Sequence, residues 1–185
     1  MTKFEMYLHT FEGATIRKNF YKNYIDNIDL TSSKCILEFG CGAGCITKQL
    51  LNKVDTNKVK ISCLDIDNEA IDLLKKRFKD YDNLNFYVGD IRKLPIKNNS
   101  FDTVVVHFML HDIKETKRLE NLKKINNVLS KNGKVFIREP IRENHGILID
   151  ELRNLFIKAG FIEVNGEIES HFSCGEMYSA LFEKQ

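Results

Sequence analysis

From Cys35 onward, short apolar runs alternate with longer amphipathic stretches, and no other feature narrows the fold as far. A run such as Val104-Val105-Val106 is apolar at consecutive positions, so as a strand it must be covered on both faces. That is the condition of a parallel sheet layered by helices. Five segments read as such strands: Cys35–Phe39, Val59–Leu64, Leu84–Val88, Phe101–Phe108 and Lys134–Arg138. The stretches between them carry helical spacing. Ile46, Leu50, Leu51 and Val54 share one face after Gly44. Ile71, Leu74 and Phe78 share a face in Asn68–Lys79, and Leu119, Leu122, Ile125 and Leu129 do so in Glu115–Leu129, which Asn132-Gly133 closes. A further helix spans Ile147–Ala159 before Gly160, and Ala14–Ile28 forms one ahead of the first strand. Phe161–Val164 and Met177–Phe182 read as two strands joined by a polar loop. The pattern predicts an α/β fold: an open, doubly wound sheet of about seven strands, mostly parallel with an antiparallel C-terminal strand, and helices on both faces.

With 28 basic and 26 acidic residues the 185-residue chain has a net charge of +2, which gives no global argument for a polyanionic partner. No apolar run approaches the roughly 20 residues of a membrane span, and Met1–Thr10 lacks the apolar core of a secretion signal. Five scattered cysteines suit a reducing compartment better than a disulfide framework, so a cytoplasmic protein is expected. Two prolines supply no linker. The expected organisation is an N-terminal arm and helix over residues 1–30, followed by one domain over 31–185.

The first strand ends in Gly40-Cys41-Gly42-Ala43-Gly44 and runs into a helix. Such a turn lets backbone approach a ligand where side chains would collide. The dinucleotide fingerprint Gly-x-Gly-x-x-Gly requires its third glycine at Cys45, but here the third glycine is Gly44. Glu38, inside the strand end, disfavours phosphate and suits a cation. Asp65 ends the next strand at the ~20-residue spacing of a ribose-binding carboxylate. The turn therefore points to a nucleoside that carries positive charge. Plainer roles compete: Glu38 as an ion-paired strand end, Asp65 as a helix-start acid, Asp90 as a turn opener.

Glu38–Gly44 resembles the first motif of class I S-adenosylmethionine-dependent methyltransferases. Leu64-Asp65-Ile66-Asp67 resembles the second motif, Val88-Gly89-Asp90-Ile91 the third, Phe101–Val106 the fourth strand, and Val128–Lys134 the approach to the fifth. The matches follow the family's order over residues 34–140. The resemblance implies a Rossmann-like fold and S-adenosyl-L-methionine as cofactor, with S-adenosyl-L-homocysteine as product. It implies that Gly40, Cys41, Gly42 and Gly44 lie under the cofactor's amino-acid part, with Glu38 near the ammonium. Asp65 would bind the ribose, Ile66 would pack on the adenine, and Asp90 would accept from the adenine amino group. The Ile91 backbone would meet the ring edge, and His107 would face cofactor and substrate. Asp67 is expected to cap the following helix.

Candidate catalytic residues are His107, His111 and Glu139, at the carboxyl ends of the fourth and fifth strands, where ligands of open α/β sheets bind. A neutral imidazole there can take a proton from an acceptor. The competing roles are backbone-bonded histidines and a Glu139 salt bridge to Arg138 or Arg142. For substrate contact the aromatic-rich arm Met1–Gly13 offers Tyr7, His9 and Phe11, and the polar loop Glu169–Glu176 is the other candidate. Cys41 and Cys45 lack further ligands for a closed zinc site, so no metal is expected. The reading is a methyltransferase acting by in-line displacement on an unidentified acceptor, a small molecule before a nucleic acid or a protein. Its alternatives are a catalytically silent cofactor-binding partner subunit and a nicotinamide-dependent oxidoreductase.

Overall fold

The computed structural model describes residues 18–141, 146–172 and 174–185. The arm with Tyr7, His9 and Phe11, and Arg142, lie outside them. The chain divides into two compact units at Asp90/Ile91, inside the expected 31–185 domain. The first holds α1 (Lys18–Asn27), β1 (Cys35–Phe39), α2 (Cys45–Lys53), β2 (Lys60–Asp65), α3 (Asn68–Arg77) and β3 (Leu84–Val88). The second holds β4 (Phe101–His107), α4 (Glu115–Val128), β5 (Leu129–Pro140), α5 (Ile149–Lys158), β6 (Phe161–His171) and β7 (Gly175–Lys184). The strands form a seven-stranded sheet in the order β3-β2-β1-β4-β5-β7-β6. None of the described helices is long and apolar enough to cross a membrane.

In the first unit β1 pairs parallel with β2, and β2 with β3. Ile36, Leu37, Ile61, Cys63 and Leu64 are buried, as consecutive apolar residues of doubly covered strands must be. Helix α1 ends on Lys53, whose ammonium donates to the carbonyls of Ile25 at 2.6 Å and Asp26 at 2.9 Å. A lysine thus satisfies carbonyls that a helix C-terminus leaves without intrahelical donors. Asp67 caps α3 as expected, accepting from Glu69 N at 2.8 Å.

In the second unit β4 and β5 are parallel, and β7 runs antiparallel to both β5 and β6. Two boundaries differ from expectation. Strand β5 begins at Leu129, straight after α4, and Asn132 adopts a left-handed φ of 60° where the pairing with β4 shifts register. Asn-Gly marks a kink within the strand there, since asparagine tolerates that conformation. The C-terminal hairpin is also longer than its apolar runs. Asn165–Ser170 continues β6, pairing through Ser170↔Glu176, so the polar loop shrinks to the turn after His171. An edge strand is wet along one side, and its polar side chains hide it from periodicity. Helix α5 anchors the hairpin: Phe156 stacks on Phe182 at 3.9 Å, and Arg153 bonds both Glu163 and Tyr178 Oη.

Gly166 in β6 faces that anchor, where a Cβ would come within 1.9 Å of Tyr178 Oη. The hydroxyl also donates to Glu163 at 2.6 Å, so it cannot swing aside without breaking this network. Gly166→Ala is expected to cost about 1–3 kcal/mol, the usual cost of overpacking, read as a lower melting temperature in calorimetry.

Candidate active site

The first unit places its acids at the carboxyl ends of its parallel strands. The glycine turn is clamped to β2: Gly40 N and Cys41 N both donate to Leu64 O, at 2.8 and 3.1 Å, and Gly42 N donates to Asp65 Oδ2 at 2.7 Å. Gly44 N donates to Cys41 O at 2.9 Å. These four amides point inward, so the turn does not offer them to a pyrophosphate. The two later glycines differ in purpose. A Cβ on Gly44, at φ 80°, would lie 2.9 Å from the Phe78 ring, so α3 demands glycine there. A Cβ on Gly42 would meet nothing within 4 Å, which leaves open space over the turn.

Glu38 is 2% exposed. Its Oε2 accepts from Thr47 Oγ1 at 2.7 Å and from Cys63 Sγ at 3.8 Å, while Oε1 has no hydrogen-bond partner among the described residues. Burial pushes its carboxyl from 4.5 up to about 8, against the pull of the Thr47 and Cys63 hydrogen bonds. Asp65 is half-buried, and its Oδ1 accepts from Asp67 N at 2.9 Å. Each of its oxygens retains a lone pair, so the bracing leaves room for hydroxyl donors. Ile66 beside it is 73% exposed, an unusual apolar surface next to a carboxylate. Asp90 follows Gly89, whose N–H donates to Asp65 O at 2.8 Å. Cys41 turns its side chain inward onto Cys63, and that hydrogen bond, then burial, raises its thiol pKa.

The second unit brings His111 and Glu139 together. Glu139 is fully buried, and its carboxylate accepts from Met109 N at 2.9 Å, Leu110 N at 2.7 Å and His111 N at 3.4 Å. His111 Nδ1 lies 2.6 Å from Glu139 Oε2. Burial lowers the pKa of His111, but the hydrogen bond and charge of Glu139 outweigh it and hold the ring above its ordinary 6.5. Arg138 pairs with Glu169 and with Ser179 Oγ. His107 stacks on Phe108 at 4.4 Å, and burial with the Arg138 charge pushes its pKa down to about 3. Ile91 is buried.

Three contributors escaped the sequence reading. Thr47 left a signal, a polar residue on the otherwise apolar face of Ile46, Leu50 and Leu51. Cys63 becomes relevant only through the register Glu38↔Cys63. Phe108 left none: its φ of 52° turns the chain out of β4 so that the following amides meet Glu139.

A family model described as a methyltransferase domain matches residues 36–133. The chain belongs to the class I S-adenosylmethionine-dependent methyltransferase family. An uncharacterised methyltransferase of Anoxybacillus flavithermus is 23% identical over 171 residues, covering 91% of this chain and 72% of that one. The ubiquinone/menaquinone biosynthesis C-methyltransferase UbiE of Wigglesworthia glossinidia brevipalpis is 35% identical over 107 residues, 56% of this chain and 42% of its own. Against several of its curated relatives the chain thus spans only about half their length or a little more. Among solved structures, the N-methyltransferase NodS of Bradyrhizobium japonicum with S-adenosyl-L-homocysteine superposes with a TM-score of 0.75 at 17% identity, covering 90% of this chain and 86% of that one. The [4+2]-cyclase SpnF gives 0.76 at 14% identity, over 90% and 80%. One fold thus carries differently named reactions, and function must be argued from the site.

The first unit of this methyltransferase fits its cofactor. A cationic ammonium suits the open acceptor of Glu38, the space over Gly42 admits a chain, and Ile66 offers a face to a base. A neutral Glu38 would have to ionise to hold an ammonium, so binding should release a proton below pH 8. The affinity for S-adenosyl-L-homocysteine should therefore rise with pH up to about 8 and level off, with proton release visible by calorimetry in buffers of different ionisation enthalpy. Glu38→Gln should abolish the proton release and flatten that profile. An unchanged profile in the variant would contradict the assignment.

Proposed function

We propose that this methyltransferase acts on a small-molecule acceptor that loses a proton as it is methylated, with His111 as the base. The His111–Glu139 pair carries the reading. The buried carboxylate, anchored by three backbone amides, fixes the ring with Nδ1–H toward it, which leaves Nε2 as the basic nitrogen. Asp112 Oδ1 lies 3.4 Å from that nitrogen. His107, its pKa pushed down to about 3, stays neutral near pH 7 and is a poor base; it serves as a stacked wall beside Phe108. Relatives named for quinone biosynthesis, and a human structural neighbour named for N-acetylserotonin, support a small organic acceptor.

When bound, S-adenosylmethionine supplies a methyl group already made electrophilic by its sulfonium, so the protein's part is alignment and proton removal. In this reading Glu38 holds the ammonium, and the Gly40–Gly44 backbone, with Cys41 contributing main chain only, underlies the amino-acid part. Asp65 takes the ribose hydroxyls, Ile66 covers the adenine, and Asp90 and the Ile91 backbone meet its edge. Glu139 orients His111 and stabilises the imidazolium formed as the acceptor's proton arrives.

The base must be neutral to act, so kcat/KM should rise with pH through an inflection above 6.5, the ordinary imidazole value. Glu139→Gln removes the charge that raises this pKa and should move the inflection down. His111→Asn should cut kcat by roughly 10²–10⁴-fold, the usual contribution of a general base, with S-adenosyl-L-homocysteine affinity retained. A pH-independent rate, or a His111→Asn variant with full activity, would show that no base is used. Calorimetry should detect S-adenosyl-L-homocysteine and neither form of the nicotinamide cofactor; the converse would overturn the reading. Binding without methyl transfer to any acceptor would instead identify a silent subunit.

A further inference from the structure

We propose that the groove between the Arg92-Lys93 segment and helix α4 binds an oligophosphate, a small anion with two or more linked phosphate groups. The groove has a volume of about 470 Å³ and is lined by Arg92, Lys93, Glu120, Lys123, Lys124 and Asn127. It lies wholly within the second unit and shares no residue with the site assigned to methyl transfer.

Four cations share this groove with one carboxylate, so it carries +3, more than the +2 of the whole chain. A lysine standing singly on a helix surface is ordinarily solvated. Here the cations come from two walls, Arg92 and Lys93 from the segment after β3, and Lys123 and Lys124 from α4. The one carboxylate is already engaged: Glu120 Oε2 accepts from Arg92 Nη1 at 2.5 Å. Lys93, Lys123 and Lys124 form no ion pair among the described residues. A cleft lined by one sign of charge focuses its field and concentrates counter-ions.

Both walls are fixed in place. Ile91 and Ile96 are buried and root the segment, as Leu122 and Ile125 root the helix. Asn99 N donates to Asn127 O at 3.1 Å and Ser100 N to Val128 O at 2.8 Å, which ties the end of the segment to the end of α4. Glu120 holds the Arg92 guanidinium, a planar fork of donors suited to phosphate oxygens. Groups held this way lose little freedom when an anion arrives.

The lining also selects the ligand. None of the six residues is aromatic or aliphatic, so the groove offers no ring for a base to stack on and no apolar wall for a neutral organic molecule. Recognition falls on charge. One phosphate group brings about −2 at most, less than the groove's +3, and linked phosphates match it. The volume is that of a small-ligand site, which favours a short anion over a nucleic-acid backbone.

With the full chain in low-salt buffer, calorimetry should show saturable binding of inorganic tripolyphosphate that weakens as sodium chloride is added. Orthophosphate should bind at least about tenfold more weakly, the scale of one charged hydrogen bond. The double variant Lys123→Glu with Lys124→Glu should weaken tripolyphosphate binding at least about tenfold. Its S-adenosyl-L-homocysteine affinity and melting temperature should stay unchanged. Asn127→Lys adds a cation to the same groove and should tighten binding between about 1.5-fold and fivefold, the range of an exposed charge pair. Absence of binding, equal affinity for orthophosphate, or no gain in Asn127→Lys overturns the site. Binding that persists undiminished in the double variant also overturns it and marks an adventitious ion only. Lysine-dependent binding of a short RNA duplex, or of vesicles containing phosphatidylinositol bisphosphate, without any of tripolyphosphate would make the groove a nucleic-acid or membrane contact instead.

Discussion

The clamp between the glycine turn and the end of β2 is the constraint on which the first unit's ligand chemistry depends. Leu64 O takes two amides of the turn and the Asp65 carboxylate takes a third. Asp65 O in turn receives Gly89 N, so the ends of β2 and β3 are tied together. Two consequences follow. The turn has little left to offer a phosphate, and Asp65 is held with its remaining lone pairs in a set direction. A carboxylate so braced meets hydroxyl donors without first being ordered.

The two buried glutamates are built on opposite plans. Glu139 receives three backbone amides and an imidazole, so its environment is complete and serves the protein's own architecture. Glu38 receives Thr47 and Cys63 on one oxygen only. Leaving a buried acceptor unsatisfied costs on the order of 1–3 kcal/mol, a cost that a ligand donor can offset. Burial keeps this group protonated near neutrality, so the folded protein without ligand holds a proton that the unfolded chain releases above pH 4.5. Its stability therefore declines as pH rises from 4.5 toward 8, and an ammonium at Glu38 reverses the penalty.

The order of strands and helices was legible because consecutive apolar residues and helical spacing are local signals. Glu38, Asp65 and Asp90 stood out as candidates because acids at apolar strand ends are conspicuous, and the early Gly44 set the turn apart from the spacing of a dinucleotide fingerprint. The extent of β6 was not, since an edge strand wet on one side loses its alternation. Nor was the difference between the two histidines. His107 and His111 look alike in sequence, but Arg138 lies near one and Glu139 against the other, and long-range pairing decides which charge each ring meets. The left-handed Phe108 that aims the amides at Glu139 is equally silent in sequence, since no glycine or asparagine announces it.

We propose that Glu38 is kept incomplete for an ammonium. The most direct test is a calorimetric comparison of S-adenosyl-L-homocysteine with its desamino analogue, identical except that the α-amine is replaced by hydrogen. The analogue should bind at least about tenfold more weakly to the native protein, the scale of a charged hydrogen bond, and the gap should largely close in Glu38→Ala. Equal affinities in the native protein would contradict it.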